Sequence, residues 1–451
     1  QNKWLNLLVN ERENICCVGD DDQSIYSWRG AEIKNFLTFD QIYKNCKIFK
    51  LEQNYRSTKN ILETASTLIS NNSNRVGKKL WSAATQGEPV KLNCYKTGKD
   101  EAQGIGDIIE HNLKKKYSLN NISILVRAIY QTREFEERFL QVGIGYRILG
   151  GTKFYERAEI KDAVSYLRII NQKYDDLALE RVIGSPKKGI GESTLNQIYL
   201  FGNKNNICLE DSIMKILEEG KFKPKIKNSL SKLMSMIHKW RKDASSMKHY
   251  DLLKLVLDES GYSEMLKNKK DLENENRLEN LKELLRAMRD YESLQNFLEH
   301  VALATSIDQE WEGAKVNLMT MHAAKGLEFD VVFLPGWEEG LFPHQKSLEE
   351  KGDFALEEER RLAYVGITRA KKEAYLSFSM KRAYHGDWMD ALPSRFINEI
   401  PEDGIEKNEI NFDKTLEEFE FNQDNEIEFD EEYRSPGWNR FKKNKAIKWK
   451  K

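Results

Sequence analysis

Four stretches of this chain set amide, guanidinium and aromatic side chains at spacings that suit contact with a phosphate and with flat rings. In Val18–Ala31, VGDDDQSIYSWRGA, Gln23 is neutral and offers both a donor and an acceptor, which suits a group that senses a terminal phosphate and a water together. Tyr26 and Trp28 are two apart, so on an extended segment they project to one side and can stack on successive bases, each stack worth about 1–3 kcal/mol. The same spacing also fits a turn followed by two core aromatics. In Leu51–Thr58, LEQNYRST, Tyr55 and Arg56 stand just ahead of a predicted helix that Ser57 or Thr58 caps. The Arg56 fork can point at a phosphate while Tyr55 lies on a purine, although a surface arginine taken alone is more often an ion-pair partner.

In Thr320–His344, TMHAAKGLEFDVVFLPGWEEGLFPH, a strand ends at Thr320 and a Lys-Gly turn follows. Thr320 and His322 are apt for phosphate-backbone contacts, and Glu328 is placed to accept from a sugar hydroxyl; His322 also fits a hydrogen-bonded structural histidine. Glu357–Ser379, EEERRLAYVGITRAKKEAYLSFS, reads as helix, Thr-Arg turn and strand. Arg369 in that turn lies where a second guanidinium reaches the phosphate that Arg56 reaches, or is one more cation in a basic patch with Arg360, Arg361, Lys371 and Lys372. A fifth stretch, Pro186–Gly191, opens a predicted helix near Glu192. The backbone N–H groups around Gly189 and Gly191, with Lys187 and Lys188 beside them, make an anion site or a plain connection between helices.

These residues need elements to hold them. The apolar run Ile15–Val18 predicts a buried parallel strand that delivers its loop to the carboxyl edge of a sheet. Further strands are predicted at Val90–Tyr95, Ile122–Val126, Val316–Met321, Val331–Leu334 and Ala374–Phe378, with helices at Thr58–Ile69 and Thr132–Gln141 between them. Alternating strands and helices argue for parallel-sheet α/β domains. From Gly151 to about Glu310 a helical period takes over, with Ile160, Ala163, Val164 and Leu167 on one face and Leu278, Leu281, Leu285 and Met288 on another. That pattern predicts a helical domain inserted into the α/β one.

At 451 residues the chain calls for about three units. No run of about 18 apolar residues is present to span a bilayer. The five cysteines form no C-x-x-C pair and lie near no histidine cluster, which suits a reducing cytoplasm and suggests neither zinc nor disulfides. Net charge is −1, yet residues 401–432 hold fourteen acidic residues against two lysines, and residues 433–451 hold eight basic residues against none. Residues 401–451 are expected to be a mostly disordered tail that offers a surface to protein partners.

In their order, the four long stretches resemble motifs III, IV, V and VI of superfamily 1 DNA helicases of the UvrD/Rep/PcrA type. The resemblance runs from about Asn14 to about Phe396 and includes GGTKFYERAEIKD, Gly150–Asp162, which in the family opens the inserted helical domain. It implies an α/β fold of RecA-like, P-loop NTPase-type motor lobes, with ATP and Mg²⁺ in the cleft and single-stranded DNA, or a single/double-strand junction, across the top. By this likeness Gln23 would match the γ-phosphate sensor, Arg56 and Arg369 the arginine fingers, Tyr55 the ring on adenine and Glu328 a ribose contact. Tyr26 and Trp28 would match the base platform, and Thr320 and His322 the backbone holders. Lys187, Lys188, Gly189 and Gly191 would match a turn that touches duplex DNA, and translocation would run 3′ to 5′.

The implied divisions are 1–56 for a remnant of the first lobe, 57–150 and 311–400 for the second, 151–310 for the insertion and 401–451 for the tail. The 451 residues contain no G-x-x-x-x-G-K-[ST] and no acidic strand-end pair to hold Mg²⁺, so the resemblance leads one to expect further sequence before Gln1. An alternative is a non-catalytic single-strand-binding protein that keeps only the stacking and backbone contacts. A recombination helicase-nuclease subunit is disfavoured by the short, acidic end.

Overall fold

A computed structural model describes residues 4, 7–9, 14–43, 45–73, 75–114, 116–268, 272–306, 313–384 and 387–408. The chain divides into two compact units, one of Gln1–Gly151 with Gly313–Lys451 and one of Thr152–Glu312.

The first unit is built on parallel strands. In chain order these are β1 (Gln53–Asn54), β2 (Trp81–Ser82), β3 (Val90–Thr97), β4 (Ile122–Val126), β5 (Tyr146–Ile148), β6 (Val316–Thr320), β7 (Phe329–Leu334), β8 (Ala370–Tyr384), β9 (Asp387–Asp390) and β10 (Ile405–Lys407). β1 and β2 form a small parallel pair. The main sheet runs β10-β3-β8-β7-β4-β6-β5, parallel throughout, with β9 antiparallel on the extended end of β8.

Side-chain alternation explains why helices cover both faces. Ile122, Ile124 and Val126 of β4, Val316 and Leu318 of β6, and Val331 and Phe333 of β7 pack with Ala102, Ile105, Phe135 and Phe139, from helices Gly98–Ile108 and Thr132–Val142. The intervening Leu125, Met319, Val332 and Leu334 join Ile61, Ala65, Leu68, Leu362 and Val365, from helices Lys59–Ile69 and Asp353–Ile367, on the other face. A sheet buried on both faces reads as continuous apolar runs, which is how these strands appear in the sequence. Helix Thr132–Val142 stops at Gly143, whose φ of 65° suits a residue without a Cβ.

The second unit is helical from Ala158 to Ser306. At its centre helix Ala158–Asn171 buries the expected face of Ile160, Ala163, Val164 and Leu167. The fully buried Trp240 of helix Pro224–Asp243 meets Tyr166 edge-on, with ring centroids 5.9 Å apart.

Several expectations need correction. Residues 15–18 form no strand, and Val18 is 86 % exposed. A parallel strand needs neighbours to bond to, and among the described residues no strand pairs with this run. In helix Leu272–Met288 the expected Leu281 and Met288 are buried, but the face is shifted to include Leu284 and Ala287, with Leu278 and Leu285 only half-buried. The stretch after Pro401 is not tail throughout, since β10 extends the sheet in register with β3, Ile405 opposite Val90. The remainder, residues 409–451, lies outside the described residues.

Candidate functional site

Two of the expected nucleotide-contacting residues start from adjacent points on the amino edge of the main sheet. Glu328 immediately precedes β7 and Arg369 immediately precedes β8, and Phe329 donates its backbone N–H to the Arg369 carbonyl at 2.9 Å. Arg56 is brought there by local hydrogen bonding. The Asn54 side chain accepts from the N–H groups of Arg56 and Ser57 at 2.9 Å each, and Ser57 Oγ donates to the Ala370 carbonyl at 2.7 Å, which pins the segment to the start of β8.

In this corner Arg56 Nε donates to Glu328 Oε2 at 2.8 Å, and Lys371 Nζ lies 2.8 Å from Glu328 Oε1. Hydrogen bonds from Lys371 and then Arg56 hold the Glu328 carboxyl down at about 2. Arg369 is 1 % exposed and donates only to neutral oxygens: Val365 O at 2.9 Å, Leu327 O at 3.2 Å and Thr368 Oγ1 at 3.2 Å. Among the described residues it forms no ion pair. Burial, and next the nearby Arg56 guanidinium, push its pKa down to about 10, with the Asp20 and Glu328 carboxylates offsetting only part of the drop, so it stays a cation at neutral pH with no carboxylate bonded to it. Tyr55 is 82 % exposed, with its hydroxyl on Gln53 Oε1 at 2.6 Å, leaving a ring face open to solvent.

The Asp20–Gly30 segment is stitched along the loop that follows β6. Gln23 Nε2 donates to Asp20 Oδ2 at 2.7 Å, and Lys325 Nζ donates to the Gln23 carbonyl at 2.8 Å. The same ammonium lies 5.3 Å from the centre of the Tyr26 ring, whose hydroxyl donates to the His322 carbonyl at 3.0 Å. Ser27 N–H donates to Glu358 Oε1 at 2.8 Å. Loss of water, with Arg369 close by, lowers the Lys325 pKa against the pull of Asp20. The structure therefore gathers Gln23, Arg56, Glu328 and Arg369 in one neighbourhood and adds Lys325 and Lys371. Lys325 stood in view as half of a Lys-Gly turn, but its pattern held nothing to tell a turn lysine from a site lysine.

The aromatic pair differs from its expected geometry. Residues 27–29 form a 3₁₀ turn rather than an extended segment, so alternation does not place Tyr26 and Trp28 on one side. Tyr26 is half-buried and packs against the core, and the Trp28 side chain lies outside the described residues. Thr320 ends β6, and its hydroxyl accepts from Ala323 N–H at 3.3 Å. Burial, then the Arg127 charge, hold His322 down at about 4, so its ring is neutral and cannot serve as a cation toward phosphate. Arg127 is itself tied to Glu359, with its shortest contact at 2.7 Å.

In the helical unit, Gly189 takes a left-handed φ of 74°, and Gly191 caps helix Glu192–Asn205. Lys187 is exposed. Lys188 turns inward instead, donating to Val182 O at 2.6 Å and Pro186 O at 3.1 Å, with burial lowering its pKa to about 8. Its ammonium is spent on closing the preceding helix and is not presented to an outside anion.

The expected basic patch also dissolves. Arg360 is buried on Glu399 through two bonds of 2.6 and 2.8 Å, Arg361 is buried on Glu357, Lys371 meets Glu328 and Lys372 meets Asp330. The acidic trio Asp20, Asp21 and Asp22 is close enough to hold a cation, but Asp20 is bonded to Lys78 and Asp22 doubly to Arg75 at 2.7 and 2.8 Å.

A doubly covered parallel sheet with a cationic corner at its edge is the architecture of a RecA-like motor lobe. The model of the UvrD-like helicase C-terminal domain matches residues 49–381, and that of the UvrD/REP helicase N-terminal domain matches residues 1–44. The chain belongs to the UvrD-like helicase family. It is 47% identical over 403 residues to a probable DNA helicase II homolog of Rickettsia felis, covering 89% of this chain and 62% of that protein. It is 42% identical over 409 residues to the ATP-dependent DNA helicase PcrA of Staphylococcus epidermidis, covering 88% and 56%. The chain thus spans about three-fifths of the length of these relatives. Among the described residues no helix is long and apolar enough to cross a membrane.

Proposed function

We propose that this chain works in an ATP-driven helicase motor that moves 3′ to 5′ along single-stranded DNA and opens duplexes at junctions. Residues 1–56 are assigned to the first motor lobe, 57–150 and 311–400 together with β10 to the second, and 151–310 to the insertion. The observation that carries this reading is Arg369, a buried guanidinium with three neutral acceptors and no carboxylate. A buried cation with no carboxylate bonded to it is unfavourable unless an anion completes the site, and a nucleotide phosphate fits that need.

When bound, ATP supplies the phosphoryl group whose transfer drives the cycle. Tyr55 offers its exposed face to the adenine, Glu328 an acceptor to a sugar hydroxyl, and Arg56 and Arg369 stabilise negative charge on the phosphates. Gln23 orients a water or a terminal oxygen. Lys325 bonds the Gln23 carbonyl and covers Tyr26, so a shift on the nucleotide side is felt on the DNA side. The acidic trio at Asp20–Asp22 is committed to Lys78 and Arg75, so no step is assigned here to Mg²⁺.

With no G-x-x-x-x-G-K-[ST] among them, the 451 residues alone are expected to bind single strands without DNA-stimulated hydrolysis. Joined covalently to the phosphate-cradling region of a relative, they are expected to hydrolyse ATP, and Arg56→Ala or Arg369→Ala should then remove hydrolysis while sparing strand binding. Hydrolysis by the 451 residues alone, or its survival in Arg369→Ala, would sink the proposal.

A further inference from the structure

Glu357, Glu358 and Glu359 follow one another in the first half of helix Asp353–Ile367, and each turns to a different segment of the chain. Glu357 Oε1 accepts from Ser73 N–H at 3.0 Å and from Ser73 Oγ at 2.7 Å, while Glu359 is bonded to Arg127 and to the His344 N–H at 3.0 Å. Those two carboxylates fasten the helix to residues of the lobe it belongs to. Glu358 reaches residues 1–56 instead: its Oε1 accepts from the Ser27 N–H at 2.8 Å and its Oε2 from the Ser27 hydroxyl. Ser27 begins the 3₁₀ turn Ser27–Arg29 that carries Trp28, and the hydroxyl of Tyr26, just before it, donates to the His322 carbonyl.

The far end of the same helix holds the guanidinium of Arg369. Its Nε donates to Val365 O at 2.9 Å, and its Nη2 to the hydroxyl of Thr368, which itself donates to Tyr364 O at 2.8 Å. Val365 comes seven positions after Glu358, so the two share a face of the helix about 10 Å apart. Every residue from Glu359 to Ile367 is buried. A close-packed, hydrogen-bonded helix moves as one piece, so a displacement at one end arrives at the other.

We propose that Glu358 is a positioning residue that ties the Ser27–Arg29 turn, and with it Trp28, to the state of the Arg369 corner. Negative charge gathered at Arg369 competes with Val365 O and Thr368 Oγ1 for the guanidinium, the last turn of the helix resettles, and the helix passes the shift to the Ser27 N–H and hydroxyl. Resting on the motor reading above, this link runs through the protein interior, apart from the Lys325 contact, and assigns a role to the one glutamate of the three that is bonded to residues 1–56.

The test uses the chain joined covalently to the phosphate-cradling region of a relative. Anisotropy of a labelled single-stranded oligonucleotide is read with and without a non-hydrolysable ATP analogue and Mg²⁺. The ratio of the two dissociation constants measures the coupling, about 5-fold or more between linked sites. Glu358→Ala should bring the ratio to about 1, whereas Glu358→Gln should keep it within about twofold of the parent, because the amide oxygen still accepts from the Ser27 N–H and the amide NH₂ can donate to the Ser27 hydroxyl oxygen. Ser27→Ala keeps the backbone bond, so its ratio should fall between those two and should drop no further when the change is added to Glu358→Ala. Were Glu358→Ala merely to loosen the fold, both constants would rise together and the ratio would hold. A ratio that survives in Glu358→Ala, is lost equally in Glu358→Gln, or falls further when Ser27→Ala is added to Glu358→Ala overturns the proposal. A parent without any ratio defeats the motor reading and this link together; a parent that shows one, with Glu358→Ala keeping it, defeats the link alone.

Discussion

Replacing Arg369 by methionine should leave the α/β unit about as stable as before, although a fully buried arginine is removed. The drop in its pKa from 12.5 to about 10 corresponds to about 3 kcal/mol held against the charged side chain. For a base whose folded pKa is depressed, that penalty is fully present below about pH 10 and is relieved only between about 10 and 12.5, so all of it acts at pH 7. Against the relief stand three hydrogen bonds, to Val365 O, Leu327 O and Thr368 Oγ1, each worth about 1 kcal/mol net. The two sides nearly cancel, and methionine keeps the stem packing. Arg360 supplies the contrast, since Arg360→Met strands the Glu399 carboxylate it binds through two bonds and should lose about 3–5 kcal/mol. Urea unfolding of the two variants and the parent, compared by midpoint at constant slope, decides the matter. If Arg369→Met falls as far as Arg360→Met, Arg369 is a structural residue and the argument from its missing counter-charge collapses.

His322 should show no protonation by NMR until the pH falls below about 5; because its folded pKa is near 4, stability should decline as pH drops from about 6.5 toward 4, and a midpoint near 6.5 would refute its burial-driven neutrality. For Lys188 the ammonium is penalised below about pH 8 and relieved between about 8 and 10.5, so unfolding midpoints of the helical unit should climb across that window, and Lys188→Met should flatten the climb. Trp28→Ala should weaken single-strand affinity by about 1–3 kcal/mol whatever the base; a large loss of melting temperature instead would make it a core aromatic.

The main strands were legible because both faces of the sheet are covered, which turns each strand into an apolar run with clear ends; Ile122–Val126 is found at the bounds expected of it. The helical insertion announced itself through the buried face of Ile160, Ala163, Val164 and Leu167. What stayed hidden depends on partners distant in sequence. An apolar run such as Ile15–Val18 is a strand only if another strand lies beside it. Arg360 and Arg361 look like surface cations until Glu399 and Glu357 are seen to meet them, and Lys188 looks like its neighbour Lys187 until its chain turns inward. Order along the chain carried the motifs, while direction of a side chain was never in it.

The place where the helical unit leaves and rejoins the sheet bears on how such a chain diversifies. β5 and β6 are paired in parallel, with Tyr146 opposite Val316. Parallel neighbours cannot be joined by a tight turn, because the end of one strand and the start of the next lie at opposite edges; the crossover needs a dozen or more residues. The chain fills that obligatory detour with residues 152–312. Insertion, deletion or exchange of whole helices there leaves the Tyr146–Val316 register and the arginine corner untouched, so the detour can be remodelled, or replaced by a linker of about a dozen residues, while the sheet keeps its strand order.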